Sequence, residues 1–422
     1  MSVEAQAPQI AADSISNDNF ERMTVSRPKK KYAKLVDAFP RKQAITDACL
    51  PDQQQHRLDA LLTQASKEAD LFLGYPCNLV FDYSPLYPFL SFPLNNVGDP
   101  FLPSRYHLNT HEFEREVIHF FSDLTHAKPD ETWGYVTNGG TEGNTYGIYL
   151  AREIYPEGLV YYSEATHYSV AKILRMVHAR NIMIRATSNG EIDYQDLAET
   201  LRIHRDLPAI IFANIGTTMT GAIDNLDRIK QILHDNAITR YYIHCDAALS
   251  GMILPFVEQP QAFDFGAGID SMAISGHKMI GSPVPCGIAL AKKHHVDRIA
   301  RSIEYISTFD TTVSGSRNAM TPLFLWYAIH TKGVEGFRQM IQDCLEMADY
   351  AVKRFQECGI PAWRNQNSVT VVFPKGPETV MGKWQIALQG GKAHILVMPH
   401  VTIRHINDFL ADIAAATEEG TP

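Results

Sequence analysis

Short apolar runs alternate with turns and amphipathic helices through the middle of this chain, and that alternation restricts it to a mainly parallel sheet covered by helices on both faces. The runs are of strand length: WGYV at 133–136, LVYYS at 159–163, PAIIFAN at 208–214, YYIHCD at 241–246 and SMAISGHK at 271–278. Four strand-loop-helix passages precede Lys278, and no internal repeat is evident. The class is therefore α/β.

Two of these runs end in charge. YYIHCD delivers Asp246 and SMAISGHK delivers His277 and Lys278, about thirty residues later. In an α/β sheet, side chains at strand C-termini line the ligand crevice. An acid and an amine brought there suit pyridoxal 5'-phosphate (PLP): the lysine bonds the cofactor's aldehyde, and the acid keeps the pyridine nitrogen protonated. For either residue alone, the reading as a solvated surface charge wins.

The segments HCDAALSGMILPFV (244–257) and SGHKMIGSPVPCG (275–287) together closely resemble the group II PLP-dependent amino-acid decarboxylases, particularly the bacterial histidine decarboxylases and plant serine decarboxylases. The resemblance runs from about Leu73 to the C-terminus. It implies a fold type I PLP enzyme with a large sheet domain at 111–320 and a smaller α+β domain at 321–422. Residues 1–45 read as a mobile tail, and 46–110 as a helix followed by a Pro- and aromatic-rich pocket loop.

Around that pair the other candidates fall into place. NGGTEGN after WGYV is an anion-binding design, with backbone N–H groups of Gly139, Gly140 and Thr141 meeting a phosphate at a helix N-terminus. A Gly-Gly pair is also an ordinary turn. His167, in the turn after LVYYS, would cap a helix; the resemblance makes it the ring that stacks on the cofactor. Thr217 and Thr218 end the PAIIFAN passage close enough to join the cofactor shell, with Ala248 and His277 flanking the two anchors. The resemblance further implies that Tyr305 enters the neighbouring subunit's site to protonate the α-carbon. It places Ser316, with Arg317 beside it, at the partner's cofactor phosphate, giving a homodimer with composite sites. For the substrate pocket, Tyr75, Cys77 and Met320 are the candidates. Cys77 replaces an aromatic ring of the plant enzymes, and Ala319-Met320 replaces a Gly-His pair, which makes the pocket roomier and less polar.

Composition excludes other classes. The net charge of −9 comes without a basic stripe beyond residues 27–31, which disfavours nucleic acid and anionic membranes and favours a small L-amino acid as partner. Six cysteines lie far apart with no CxxC pair, so no metal site or disulfide scaffold is indicated, and a reducing cytoplasm fits. No apolar run approaches the ~18 residues of a membrane span, and no secretory signal opens the chain.

The expected activity is α-decarboxylation of an L-amino acid to its amine and carbon dioxide, on histidine, serine or a more apolar amino acid. The alternatives are another PLP-dependent lyase, a desulfurase, or a non-catalytic relative that binds a partner protein. Desulfurases usually carry Gly-Pro-Lys-Gly after the lysine, where this chain has GSPVPCG.

Overall fold

The computed structural model describes residues 50–303 and 308–419. The expected tail at 1–45 and the basic patch at 27–31 lie outside the described residues. The chain falls into two units, 1–66 and 67–422. In the first, the described part belongs to helix α1 (Asp52–Ala69), on which no residue is buried.

The second unit is built on seven strands. In chain order, β1 (Asn95–Val97) and α2 (His111–Leu124) lead into β2 (Thr132–Thr137), α3 (Gly140–Ile154), β3 (Leu159–Ser163), α4 (Ser169–Met176) and β4 (Arg180–Ile184). There follow α5 (Tyr194–Ile203), β5 (Ala209–Asn214), α6 (Leu226–Asp235), β6 (Tyr241–Asp246), β7 (Ser271–Ser275) and β8 (Gly287–Lys292). The sheet order is β2-β8-β7-β6-β5-β3-β4. Only β8 runs against the rest, pairing antiparallel with β2 and β7. Every residue of β5 and β7 is buried, as expected of strands with helices on both faces. Asp193 and Asn225 start α5 and α6 by accepting from backbone N–H groups of the first turn.

Beyond the sheet come α7 (Lys293–Val296), β9 (Arg301–Ile303), β10 (Thr308–Asp310), β11 (Ser316–Asn318) and α8 (Met320–Glu357), which kinks at Gly333. The chain then forms β12 (Thr370–Pro374), α9 (Glu378–Lys383), β13 (Ala387–Gln389), β14 (Lys392–Leu396) and α10 (Ile403–Glu419), with a three-stranded antiparallel sheet in the order β12-β14-β13.

Three local details depart from the plain residue pattern. KWQIALQ reads as a helix but helix α9 stops at Lys383, and residues 387–389 form a strand, because Gly390 and Gly391 at positive φ turn the chain straight back into β14. The stretch after Lys292 begins with a helix of only four residues, and its polar section pairs as β9 with β10 and β11 with β1. In the Pro-rich segment, where so many prolines argue against regular elements, residues 84–91 wind into a 3-10 helix with Pro85 at its start. Pro fits there because its missing N–H costs a helix start nothing.

Candidate active site

The polar ends of the parallel strands meet at one edge of the sheet. Asp246, last in β6, stands in register with Asn214, last in β5, and with Ala273 of β7. Lys278 follows β7 by three residues, on a turn that Asn78 of the pocket loop holds through its N–H on Lys278 O at 3.2 Å and its side chain on Met279 O at 3.0 Å. The edge opens into a cavity of about 640 Å³. Tyr75, Cys77, Gly140, Thr141, His167, Thr217, Thr218, Asp246, Ala248, His277 and Lys278 all line it.

Helix α3 begins at this cavity. Its N-cap is Gly139, at φ +133°, and no side chain caps it, so the first N–H groups are open to an anion. A Cβ on Gly140 would stand 3.0 Å from Ser275 Oγ, so the helix start sits tight against the end of β7. Glu142 braces the turn from outside, accepting from Asn138 N at 3.0 Å and from the Tyr135 hydroxyl at 3.0 Å.

Burial sets the protonation of the functional groups. It pushes the Lys278 amine below the usual lysine value, against the opposing pull of Asp246 and Cys77. The Cys77 thiol is raised by the same desolvation, with Lys278 opposing, so it is protonated at neutral pH. His167 is lowered by desolvation and faces Asp246, Lys278 and Lys172. Its Nδ1 accepts from Ser169 N at 3.3 Å and lies 2.8 Å from Ser169 Oγ, which leaves the neutral ring's proton on Nε2. His277 is also lowered by burial; its Nδ1 donates to Cys286 O at 2.8 Å.

Several participants escaped the reading of the sequence. Asn144, also on the cavity wall, donates to Asp246 Oδ2 at 2.8 Å, and its oxygen faces His244 Nε2 at 2.9 Å. Asp224, fully buried, accepts from the N–H of Asn214 at 2.7 Å and of Ile192 at 2.7 Å, fixing the end of β5. His394 of β14 reaches the cavity between Gly74 O and Met219 O. Asn144 stands beside Gly143 and one turn before Gly147 on α3, two glycines that press onto the sheet. A Cβ at Gly147 would lie 2.1 Å from His244 Nδ1.

His244 gives a pH prediction. Complete burial lowers it to about 3, so the unfolded chain binds a proton that the folded chain refuses between that value and the ordinary 6.5. Stability contributed by the neutral ring is full above pH 6.5 and falls as pH drops, by about 2 kcal/mol at pH 5. Urea unfolding at pH 7.5 and pH 5 should show this loss, and His244→Gln should show a smaller one.

Other expected site residues lie elsewhere. Ser316 is exposed on β11, bonded by Asn95 Nδ2 at 3.1 Å, and Met320 starts α8; neither lines this cavity. Arg317, beside Ser316, is buried, its guanidinium paired with Glu114 and donating to Gly98 O at 3.0 Å. Tyr305 lies outside the described residues.

The donor set fits PLP: an amine for the aldehyde, a carboxylate for the ring nitrogen, an imidazole beside them, and an uncapped helix start for the phosphate. Comparison with known proteins agrees. The family described as pyridoxal-dependent decarboxylase conserved domain matches residues 148–373. The histidine decarboxylase of Acinetobacter baumannii (strain ACICU) is 49% identical over 367 residues, 86% of this chain and 96% of that protein. That of Mesorhizobium japonicum is 47% identical over 365 residues, covering 86% of this chain and 99% of its own. Among solved structures, L-methionine decarboxylase from Streptomyces sp.590 superposes with a TM-score of 0.78 at 25% identity, covering 87% of this chain and 96% of that one. The chain thus belongs to the pyridoxal-dependent decarboxylases, as a fold type I enzyme that uses PLP to decarboxylate an amino acid.

Proposed function

We propose that the chain is an L-histidine decarboxylase, releasing carbon dioxide and histamine, active as a cytoplasmic homodimer with composite sites and without nucleic-acid or membrane partners. One observation carries the substrate: proteins named histidine decarboxylase are 47% to 53% identical to this chain over most of its length. Among the described residues no helix is long and apolar enough to cross a membrane.

PLP bound here supplies an electron sink for the pair released when the bond to the carboxylate breaks. The chain's own work is placement. Asp246 would keep the ring nitrogen protonated, His167 would stack on the ring and offer Nε2–H toward the substrate carboxylate, and Lys278 would hold the cofactor's aldehyde and take it back at the end of the cycle. Orientation of the carboxylate, rather than Cα–H, across the ring plane selects decarboxylation. Tyr305 of the neighbouring subunit gives Cα its proton, and Ser316 meets the neighbouring cofactor's phosphate. Support for a shared interface comes from the pocket loop, where Val80, Tyr87 and Leu90 leave apolar surface exposed, and from Ser316, exposed away from its own cavity.

A second reading, a larger or more apolar amino acid, is favoured by Cys77, which leaves the pocket roomier, and by the apolar Phe72 and Leu396 on the cavity wall. Incubation with PLP and each common amino acid, with amines identified by mass spectrometry, separates the two. Histamine should dominate; ethanolamine or an alkylamine in excess would overturn the histidine assignment.

Subunit mixing tests the shared site. Tyr305→Phe and Lys278→Ala proteins should each be nearly inactive. In a random equimolar mixture half of the dimers are mixed and each keeps one intact site, so about a quarter of wild-type activity should return. No recovery in demonstrably mixed dimers would place Tyr305 in its own subunit's site.

A further inference from the structure

Asp246 is gripped from two directions by donors of its own chain. Ala248 N donates to its Oδ1 at 3.1 Å and Asn144 Nδ2 to its Oδ2 at 2.8 Å. An ionised carboxylate only accepts, so the Asn144 amide has to turn its nitrogen toward Asp246 and its oxygen toward His244. His244 Nε2, 2.9 Å from that oxygen, must then carry the ring's proton, and His244 Nδ1 accepts from the Ser271 hydroxyl at 2.7 Å. Burial keeps this ring neutral throughout the working pH range, so one tautomer serves at all times. Asn144, His244 and Ser271 are all at most 2% exposed, which bars water from replacing any link.

We propose that Asn144, oriented by His244 and Ser271, is a positioning residue that fixes which lone pairs of Asp246 face the cofactor and keeps the shared proton on the ring nitrogen. Each donor to the carboxylate stabilises its charge and weakens it as a base. Without the Asn144 donor, Asp246 loses one of the two hydrogen bonds that stabilise its charge, and the balance of the shared proton moves toward the carboxylate. A ring nitrogen that loses its proton draws electrons less strongly, so the loss appears in kcat.

The inference rests on PLP occupying this cavity and is tested with holoenzyme reconstituted with ring-15N-labelled PLP. The wild-type nitrogen resonance should be that of a protonated ring. In Asn144→Leu and His244→Leu it should move toward the unprotonated position, with kcat down about tenfold to a hundredfold and KM for the amino acid within about twofold. His244→Gln, whose amide N–H reaches where Nε2–H did, should restore most of both. A fully protonated ring in both leucine variants would overturn the proposal. Should those variants not fold, the wild-type protein decides: ring-15N-histidine spectra must show His244 as a non-titrating Nε2–H tautomer between pH 5 and 8. An Nδ1–H tautomer, or titration in that range, sinks the idea, since Asn144 could not then offer its nitrogen to Asp246. Protein that takes up no labelled PLP would count against the cofactor instead, and the His244 spectrum would still judge the relay.

Discussion

Lys278→Ala should abolish turnover, by at least about 10³-fold, and leave the protein unable to retain PLP covalently after borohydride treatment. Among the described residues it is the sole lysine on the cavity wall. Its position makes it reactive: burial depresses the amine's affinity for a proton, so a larger neutral fraction is ready to attack an aldehyde near pH 7. The residues that hold the turn, Asn78 against Lys278 O and His277 against Cys286 O, use backbone and imidazole atoms, so truncating the side chain leaves the scaffold in place. Peptide mapping after reduction should find the cofactor's mass on the Lys278 peptide of the wild type and nowhere in the variant. A label that persists on another lysine would move the anchor.

How far the sequence reveals this site depends on the kind of information each residue carries. Asp246, Lys278 and His167 sit where an apolar run stops, and a charge at the end of a buried strand has a direction, toward the crevice, even before the fold is known. The turn before α3 is legible for the same reason: glycines at a strand-to-helix junction imply exposed N–H groups. Asn144 and His394 come from the interior of a helix and from a strand over a hundred residues downstream of Lys278, and only tertiary packing brings them to the cavity. Arg317 misleads in the opposite way. Next to Ser316 in a polar stretch it looks solvent-facing, but successive strand residues point to opposite faces, so an exposed Ser316 puts Arg317 inside. Strand β4 is hard to see because it is the edge of the sheet, with Arg180, Asn181 and Met183 exposed, and so lacks the continuous apolar run of β5.

Arg317→Met should destabilise the protein by about 3–5 kcal/mol, the cost of leaving a buried partner charge uncompensated. Glu114 is fully buried and shares its carboxylate among Arg317, Val136 N at 2.9 Å and Asn96 Nδ2 at 2.7 Å. With Arg317 gone, two neutral donors remain for a full negative charge. Glu114→Gln should be similarly harmful, because it strands the guanidinium. The double variant Glu114→Gln with Arg317→Met removes both charges and should recover much of the loss, which urea unfolding of the four proteins in a cycle would measure. The pair also ties distant segments together: Arg317 lies in β11, which pairs with β1, and Thr110 at the start of α2 donates to Ala319 O at 2.8 Å. Through these links the buried ion pair fixes the segment that carries Ser316. If Ser316 serves the neighbouring site, Arg317→Met should therefore weaken PLP retention as well as stability, while an Arg317→Lys protein, keeping the charge but not the fork of donors, should fall between. Wild-type stability and PLP retention in Arg317→Met would mean that the ion pair is dispensable and that β11 is held by its strand pairing alone.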